Sequence, residues 1–253
     1  MNAAASRKIV VVTDVFSTGA VMASMLHQDG YSVVACFSGP LDPVLLSMVP
    51  QNLKIDYMAT IIYDIEKDSD TALAEMINSL NLLDGKIECV IAGAETGVLL
   101  ADRLSEKLGL RTNGTTLSEA RRNKFVMGET IRAAGIRAVK QLRASVWEEI
   151  NNWIYEWNPL PFKLVCKPLD SAGSDCVTLC TNINEVKDSF EKIMEKNNHL
   201  GLSNQAVLIQ EFLEGTEYVI DAVSRDGEHK IVAIWEYDRR PVNGASFVCF
   251  GQR

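Results

Sequence analysis

The chain has 253 residues, of which 47% are apolar and 23% charged, and this suits one large or two small globular domains. Its formal net charge of −8 disfavours a nucleic-acid partner, because proteins that bind nucleic acids usually present a basic face. No apolar run approaches the roughly 20 residues that cross a bilayer. We therefore expect a cytoplasmic protein without a membrane partner, whose six cysteines are buried and reduced.

Short β-branched runs alternate with helical patterns in the first part of the chain. Residues 8–13, 31–37, 55–62 and 89–92 are predicted to be strands of a parallel sheet buried on both faces. Helices are predicted at 20–28, 69–82 and 97–108. The first strand-to-helix turn has only Gly19 of the GxGxxG fingerprint, so a nicotinamide dinucleotide site is not expected.

Two turns at the carboxyl ends of predicted strands carry polar residues. Ser17 and Thr18 precede a helix whose N-terminus could hold an anion, although a simple strand-to-helix turn explains them equally well. Glu95 follows the 89–92 strand, at the sheet edge where open α/β sheets bind ligands. The sequence alone favours a simpler explanation for Glu95, a carboxylate stabilised by the dipole of the following helix.

The pattern changes after Asn113-Gly114, which marks a domain boundary. A helical region is predicted at 117–134, with Thr116 and Glu119 spaced as a capping box. Strands are predicted at 140–145, 162–167, 176–181, 206–212, 217–225 and 230–237, and helices at 146–157 and 184–197. Asp226-Gly227 is predicted to form a hairpin turn.

The stretch 162–217 combines features that suit a nucleoside triphosphate. Lys167 stands at the end of one apolar run, and the loop Ser171-Ala172-Gly173-Ser174 supplies small residues and backbone N–H donors. A second apolar run ends in Gln210-Glu211-Phe212-Leu213, followed by Glu217. A surface lysine, an ordinary hairpin loop and a sheet-edge carboxylate would explain each feature separately. Their occurrence together, in this order, favours a nucleotide site.

The order and spacing of these residues resemble those of the ATP-grasp ligases. Lys167-Pro168 is followed by Ser-Ala-Gly-Ser and then by Gln-Glu-Phe-Leu-x-Gly-x-Glu. Segments 13–20, 91–97, 122–124 and 243–248 also match the family. Together they most resemble the subgroup of carboxylate–amine ligases that includes the L-amino acid ligases.

The resemblance implies an α/β fold with two parts. An amino-terminal Rossmann-like pre-ATP-grasp domain would precede an incomplete ATP-grasp domain, made of an α+β lid and the start of the central sheet. The implied boundaries are 1–114 for the first domain and 115–141 for linker helices. The lid subdomain would cover 142–213, and 214–253 would begin a truncated carboxy-terminal subdomain.

The resemblance also assigns roles to residues of both parts. It implies that Lys124 and Lys167 neutralise α- and β-phosphate oxygens, and that the 171–174 loop covers the β- and γ-phosphates. The amino-terminal domain would supply one wall of the acceptor-substrate site. The adenosine moiety would contact Gln210, the 211–213 segment and the carboxylate of Glu217. The acceptor site would include Ser17, Thr18 and Glu95.

The activity implied by the resemblance is formation of an amide bond at the expense of ATP, with Mg²⁺. A small-molecule carboxylate would be converted to an acylphosphate, and an amine would then displace phosphate. Such chemistry relies on positioning and charge rather than on a covalent nucleophile. The carboxylate and the amine are not identified by the sequence, and a homodimer remains open. The alternatives are a carboxylase-like ATP-grasp enzyme that activates bicarbonate, and a nucleotide-binding module without catalysis.

The metal ligands are where the sequence departs from the family pattern. ATP-grasp enzymes hold magnesium with carboxylates and an asparagine late in the fold, beyond the last residue of this sequence. We therefore expect no metal ligand in these 253 residues, and expect that they form a truncated product that is inactive alone.

Overall fold

A computed structural model describes residues 6–41, 43–53, 55–171, 174–197, 203–242 and 245–253. The chain divides into two compact units, Met1–Arg122 and Asn123–Arg253. The finer division predicted at residues 114, 141 and 213 stays a prediction. No helix in the described part of the chain is long and apolar enough to cross a membrane.

The first unit is built on a four-stranded parallel sheet with the order β3-β2-β1-β4. Its β-branched runs are buried on both faces, as central strands of an α/β fold require. The register places Val11 beside Val34 on one side and beside Val90 on the other. The predicted parallel sheet is therefore present. Its strands are β1 (Lys8–Thr13), β2 (Ser32–Phe37), β3 (Ala59–Ile62) and β4 (Lys86–Ala92).

Helices of the first unit cover both faces of this sheet. Alternate side chains of β1 point to opposite faces, so Ile9 and Val11 join one core cluster while Val10 and Val12 join another. The first cluster includes residues of α3 and α4, and the second includes Ala23 of α1. The helices are α1 (Thr18–Gln28), α2 (Pro43–Ser47), α3 (Ser69–Asn81), α4 (Val98–Lys107) and α5 (Ser118–Arg122), with a 3₁₀ turn at Glu95–Gly97.

Two glycines allow close approach of the backbone at the carboxyl edge of this sheet. A Cβ atom on Gly19 would lie 2.3 Å from the carbonyl oxygen of Gly93, and a Cβ atom on Gly97 would lie 2.6 Å from Oγ1 of Thr13. Real Cβ atoms do not approach other heavy atoms so closely. The start of α1 and the turn after β4 can therefore meet only because these positions lack side chains.

The predicted helix at 117–134 is two helices. α5 ends at Arg122, and α6 (Lys124–Ala133) starts one residue later. Asn123 separates them, because its side-chain oxygen accepts hydrogen bonds from the N–H groups of Phe125 (3.0 Å) and Val126 (3.2 Å). The predicted capping box is wrong, since α5 begins at Ser118 and no side-chain bond between Thr116 and Glu119 is found in the described part.

The second unit contains an antiparallel sheet with the order β5-β8-β6-β7. Ile150 and Ile154 of one helix and Val186 and Ile193 of another are buried in the same core cluster as the sheet residues. The strands are β5 (Gln141–Ala144), β6 (Leu164–Pro168), β7 (Thr178–Cys180) and β8 (Val207–Glu211), and the two helices are α7 (Trp147–Trp157) and α8 (Ile183–Met194).

A second antiparallel sheet follows, with the order β11-β10-β9. Its strands are β9 (Tyr218–Arg225), β10 (Glu228–Val242) and β11 (Ala245–Gln252). The predicted hairpin at Asp226 and Gly227 is confirmed, since both residues have the positive φ angles, 53° and 82°, of a tight hairpin turn. β10 is longer than predicted and β11 was not predicted. Asn243 and Gly244, which the family resemblance included, lie outside the described residues.

The six cysteines are all free. Cys36, Cys166 and Cys180 are buried, whereas Cys89 and Cys176 are partly buried. Cys249 is exposed on β11, so the prediction that all six thiols are buried is wrong at this position.

The contact between Gly19 and the turn after β4 can be tested by substitution. We expect Gly19→Ala to lower the free energy of unfolding by about 1–3 kcal/mol, because the new methyl group would force backbone to move. Urea unfolding followed by circular dichroism measures this change. Gly39→Ala is the matched control in the same unit, since its Cβ atom would lie 3.5 Å from its nearest neighbour, Cγ2 of Ile65. Equal effects of the two substitutions would contradict the interpretation.

Candidate functional site

The second unit contains an open cleft of about 1520 Å³. Its walls come from α6, β6, β7, β8, the segment after β8, β10 and β11. Ala172 and Gly173 lie outside the described residues. All the other predicted nucleotide-binding residues line this cleft: Lys124, Lys167, Ser171, Ser174, Gln210, Glu211, Phe212, Leu213 and Glu217.

Lys124 is held at the loop that follows β6. It is the first residue of α6, and its backbone N–H donates to the carbonyl oxygen of Leu169 at 3.3 Å. Its ammonium group donates to the carbonyl oxygen of Ser171 and, at 3.4 Å, to that of Leu169. These bonds fix one positive charge beside the small-residue loop.

Lys167 supplies a second positive charge from β6. Burial is the main cause that lowers the pKa of the Lys167 ammonium to about 8, and the charge of Lys124 lowers it in the same direction. The carboxylate of Glu217 acts in the opposite direction. Two ammonium groups in one partly buried cleft therefore repel each other, and an anion bound between them would relieve that repulsion.

A side-chain hydrogen bond joins two described residues of the segment between β6 and β7. The hydroxyl group of Ser171 donates to Oδ2 of Asp175 at 2.8 Å, and both residues are buried. Ser174 and Cys176 have φ angles of 61° and 49°, in the left-handed region that few non-glycine residues adopt. The loop thus has a defined course on each side of the two residues that are not described.

The residues at the end of β8 form the edge of the cleft. Gln210 is 9% exposed, and its Nε2 donates to Oε1 of Gln141 at 2.8 Å. The carboxylate of Glu211 accepts from the backbone N–H of Lys140 at 2.9 Å. The ring of Phe212 stacks on that of Phe247 with a centroid distance of 6.3 Å. This edge therefore combines an aromatic surface with polar groups of fixed orientation.

Glu217 lines the same cleft as Lys167 and is bound by Arg239 of β10. Nε and Nη2 of Arg239 donate to the two carboxylate oxygens of Glu217 at 2.9 and 3.0 Å. Nη1 donates to Oγ of Ser174 at 3.2 Å, and the guanidinium group lies 4.3 Å from the ring centroid of Tyr237. Arg239 therefore orients the carboxylate and links it to the loop.

Arg239 is a residue of the cleft, and the structure does not support a solvated surface position for it. The side chain of Arg239 is 25% exposed and is hydrogen-bonded in the cleft. A signal was available in the sequence, because alternation along a strand places Tyr237 and Arg239 on one face. The ion pair with Glu217 could not be deduced, since 22 residues separate the two partners.

The predicted substrate residues lie in the first unit, at the carboxyl edge of its parallel sheet. The strand order reverses direction between β1 and β4, and such switch points are where open α/β sheets bind ligands. Ser17 is the N-cap of α1 with a φ angle of 46° and no side-chain cap bond, and Thr18 is the first helical residue. Glu95 begins the 3₁₀ turn after β4 and forms an ion pair with the buried Arg122. The carboxylate of Glu95 is therefore stabilised by Arg122 as well as by the dipole of the following helix.

Asp14 is a polar residue of this edge that the sequence did not single out. It is 1% exposed and has a φ angle of 53°. Its carboxylate accepts from the backbone N–H of Ser38 at 2.8 Å and from the Ser38 hydroxyl at 2.6 Å. These bonds tie the end of β1 to the end of β2.

Comparison with known proteins agrees with the arrangement in the second unit. Residues 160–248 match the family model of the ATP-grasp domain. This segment is therefore similar to the ATP-grasp domain. Among curated relatives, dapdiamide A synthase of Enterobacter agglomerans is 35% identical over 159 residues, which are 62% of this chain and 37% of that protein. Alanine–anticapsin ligase of Bacillus subtilis is 24% identical over an alignment of 202 residues, which covers 72% of this chain and 42% of the relative.

Solved structures extend the similarity in fold to almost all of this chain. The L-amino acid ligase of Bacillus licheniformis matches with a TM-score of 0.65 and 15% identity, over 98% of this chain and 53% of that one. The ADP complex of an N5-carboxyaminoimidazole ribonucleotide synthetase matches with a TM-score of 0.63 and 14% identity, over 98% and 58%. The predicted fold class is confirmed, and this chain spans less than half the length of the two curated relatives.

The repulsion between the two lysines can be measured directly. We expect Lys124→Met to raise the pKa of Lys167 above 8, because it removes a neighbouring positive charge while burial remains. NMR titration of isotope-labelled lysine side chains reports this pKa, with Lys167→Met to assign the signal. Lys163→Met is the control, since Lys163 belongs to the same unit but pairs with Glu214. An unchanged Lys167 titration in Lys124→Met would show that the two charges do not interact.

Proposed function

We propose that the cleft of the second unit binds ATP. The observation that carries this proposal is the convergence of Lys124, Lys167 and Arg239 on one cleft, in a chain whose net charge is −8. The two lysines and the small-residue loop suit the phosphates, and Gln210 with the aromatic edge suits a purine base. Glu217 suits the ribose hydroxyl groups, because a carboxylate held by Arg239 retains lone pairs that can accept further hydrogen bonds.

We further propose that the whole protein is an ATP-dependent carboxylate–amine ligase acting on amino acids or similar small molecules. The two curated relatives are a synthase and an alanine ligase, and one solved neighbour is an L-amino acid ligase. The activity is a proposal because this chain spans 37% and 42% of those curated relatives.

The proposed reaction has two steps. A carboxylate oxygen attacks the γ-phosphorus of ATP, the bond to the ADP oxygen breaks, and an acylphosphate forms. The amine nitrogen then attacks the acyl carbon, phosphate leaves with the bonding electrons, and the nitrogen loses a proton. Lys124, Lys167 and Arg239 would hold the phosphates and offset negative charge in both steps, with no covalent bond to the protein.

Mg²⁺ belongs to the proposal because it accompanies ATP in phosphoryl transfer, where it neutralises charge on the phosphate oxygens. The cleft residues described here do not fit a metal site. Glu217 is paired with Arg239, Asp175 accepts from Ser171, and Glu236 is paired with Arg253. No group of three or more His, Cys, Asp or Glu side chains in the described ranges is placed to hold a metal ion. No residue of this chain is therefore assigned to magnesium.

The remaining parts of the proposal concern substrate, location and assembly. Ser17, Thr18 and Glu95 would contribute to binding of the small-molecule acceptor from the switch point of the first unit. The cytoplasm, where ATP is abundant and thiols stay reduced, suits a chain with six free cysteines. We also propose that the protein forms a homodimer, and analytical ultracentrifugation of the purified protein measures its oligomeric state.

Nucleotide binding should depend on pH through Lys167. Below pH 8 this side chain is charged, and above pH 8 the free protein loses the charge that a phosphate would contact. We expect ADP binding near pH 8 to take up protons and to weaken at higher pH. Lys167→Met should weaken binding by about 10- to 100-fold, as expected for loss of a charged hydrogen bond, and should abolish proton uptake.

Isothermal titration calorimetry in two buffers of different ionisation enthalpy measures both the affinity and the proton uptake. Lys187→Met is the control, because Lys187 lies on α8 and does not line the cleft. Equal affinities of the Lys167 and Lys187 variants would contradict the proposed phosphate contact.

The ligase activity can be tested by ADP release from the protein purified from its natural source. We expect release only when both a carboxylate and an amine substrate are present, because the amine removes the acylphosphate. A screen of amino acid pairs, monitored by a coupled ADP assay and by mass spectrometry of the product, measures this. Release that requires bicarbonate would favour the carboxylase alternative. Nucleotide binding without release for any pair would favour a module without catalysis.

A further inference from the structure

A chain of side-chain hydrogen bonds runs from α6 to the edge of the cleft. Nε2 of Gln141 donates to Oε1 of Glu129 and to the carbonyl oxygen of Phe125, both at 2.9 Å. Oε1 of Gln141 accepts from Nε2 of Gln210 at 2.8 Å. Gln141 and Gln210 are direct neighbours across the pair of strands β5 and β8. The two amides therefore connect a helix surface to the cleft.

The direction of this chain follows from the chemistry of its first members. A carboxylate and a peptide carbonyl only accept hydrogen bonds, so Gln141 must turn its NH₂ group towards Glu129 and Phe125. The hydrogen bond from Gln141 is the main cause that lowers the pKa of Glu129, so Glu129 remains an acceptor at neutral pH. Gln141 is left with only its oxygen to offer Gln210. Gln210 must consequently donate through Nε2.

The space around Gln141 keeps its amide in place. A Cβ atom on Gly128 would lie 2.5 Å from Nε2 of Gln141, so the glycine is what makes room for this group against α6. Gln210 is 9% exposed and lines the cleft. Within the described part of the chain, Oε1 of Gln210 has no hydrogen-bond partner. The cleft therefore presents a hydrogen-bond acceptor at this edge, with its amide orientation set from behind.

We propose that Glu129 and Gln141 are positioning residues that make the cleft select a purine with a 6-amino group over one with a 6-oxo group. The inference rests on the proposed binding of a nucleotide with its base at Gln210. Adenine would donate its 6-amino group to Oε1 of Gln210. Hypoxanthine and guanine carry an oxygen at that place, which would face another acceptor, and an unpaired acceptor in a closed contact is unfavourable.

The test compares binding of ADP and IDP, which differ at the 6-position of the base. We expect the unaltered chain to bind ADP about tenfold or more tightly than IDP, as one hydrogen bond gained and one repulsive contact avoided would give. Gln141→Lys is the decisive variant. A lysine only donates, so it can satisfy Glu129 and Phe125 while turning Oε1 of Gln210 towards itself. Nε2 of Gln210 then faces the cleft, and the preference should invert in favour of IDP.

Two further variants separate this effect from general damage. Glu129→Gln lets the first member of the hydrogen-bond chain donate as well as accept. The preference for ADP over IDP should therefore fall by about threefold or more. Glu156→Gln removes an exposed carboxylate on α7 and should leave the ratio unchanged. Thermal unfolding of each variant shows that it is folded.

The outcomes distinguish this inference from the proposed function. Inversion in Gln141→Lys supports the inference, because a merely structural role of residue 141 would weaken both nucleotides equally. A Gln141→Lys variant that binds nucleotide and still prefers ADP as strongly as the unaltered chain would overturn it. Failure of the unaltered chain to bind either nucleotide would overturn the proposed nucleotide site, and the inference with it. Binding of ADP and IDP with equal affinity would overturn the inference alone.

Discussion

The repulsion between Lys124 and Lys167 is the constraint on which the cleft depends. Burial already disfavours a charge on Lys167, and a second ammonium group nearby disfavours it further. Lys124 is held in place despite this repulsion. Carbonyl oxygens of Leu169 and Ser171 accept hydrogen bonds from its ammonium group, and Asn123 caps the start of its helix. Glu217 could offset both charges, but Arg239 already engages its carboxylate. The cleft thus brings two like charges together in an acidic chain, and an anionic ligand bound between them would relieve their repulsion.

The groups that face the cleft differ in how rigidly they are held. Lys167 and Gln210 project from β6 and β8, which are paired in register along five residue pairs, so their backbone positions are fixed by the sheet. Glu217 follows β8 on an irregular segment and obtains its orientation from Arg239 on another strand. The proposed contacts of Lys167 and Gln210 would therefore rest on the sheet, whereas the proposed contact of Glu217 would rest on an ion pair. A site built on paired strands holds its geometry more closely than one on loops.

The parallel sheet could be predicted because runs such as Ile9–Val12 require burial on both faces, whatever the rest of the chain does. The grouping of Lys167 with Gln210 could be predicted only through family spacing, since their proximity arises from strand pairing. What escaped prediction depends on a local competition or on distant partners. Asn123 ends one helix because its side chain caps the next, and β11 exists as a strand because β10 pairs with it.

The polar network behind Gln210 illustrates why residue identity at a binding edge is an incomplete description. A glutamine can present either a donor or an acceptor, and nothing in its own position decides between them. Here the carboxylate of Glu129 fixes the orientation of the Gln141 amide, and Gln141 in turn fixes the orientation of the Gln210 amide at the cleft. A sequence that kept Gln210 but replaced Gln141 by a residue that only donates would keep the same edge residue. That residue would then present a donor to the cleft in place of an acceptor. In the proposed nucleotide site, recognition of the base would therefore depend on the hydrogen-bond chain as a unit, and Gln210 alone would not determine it.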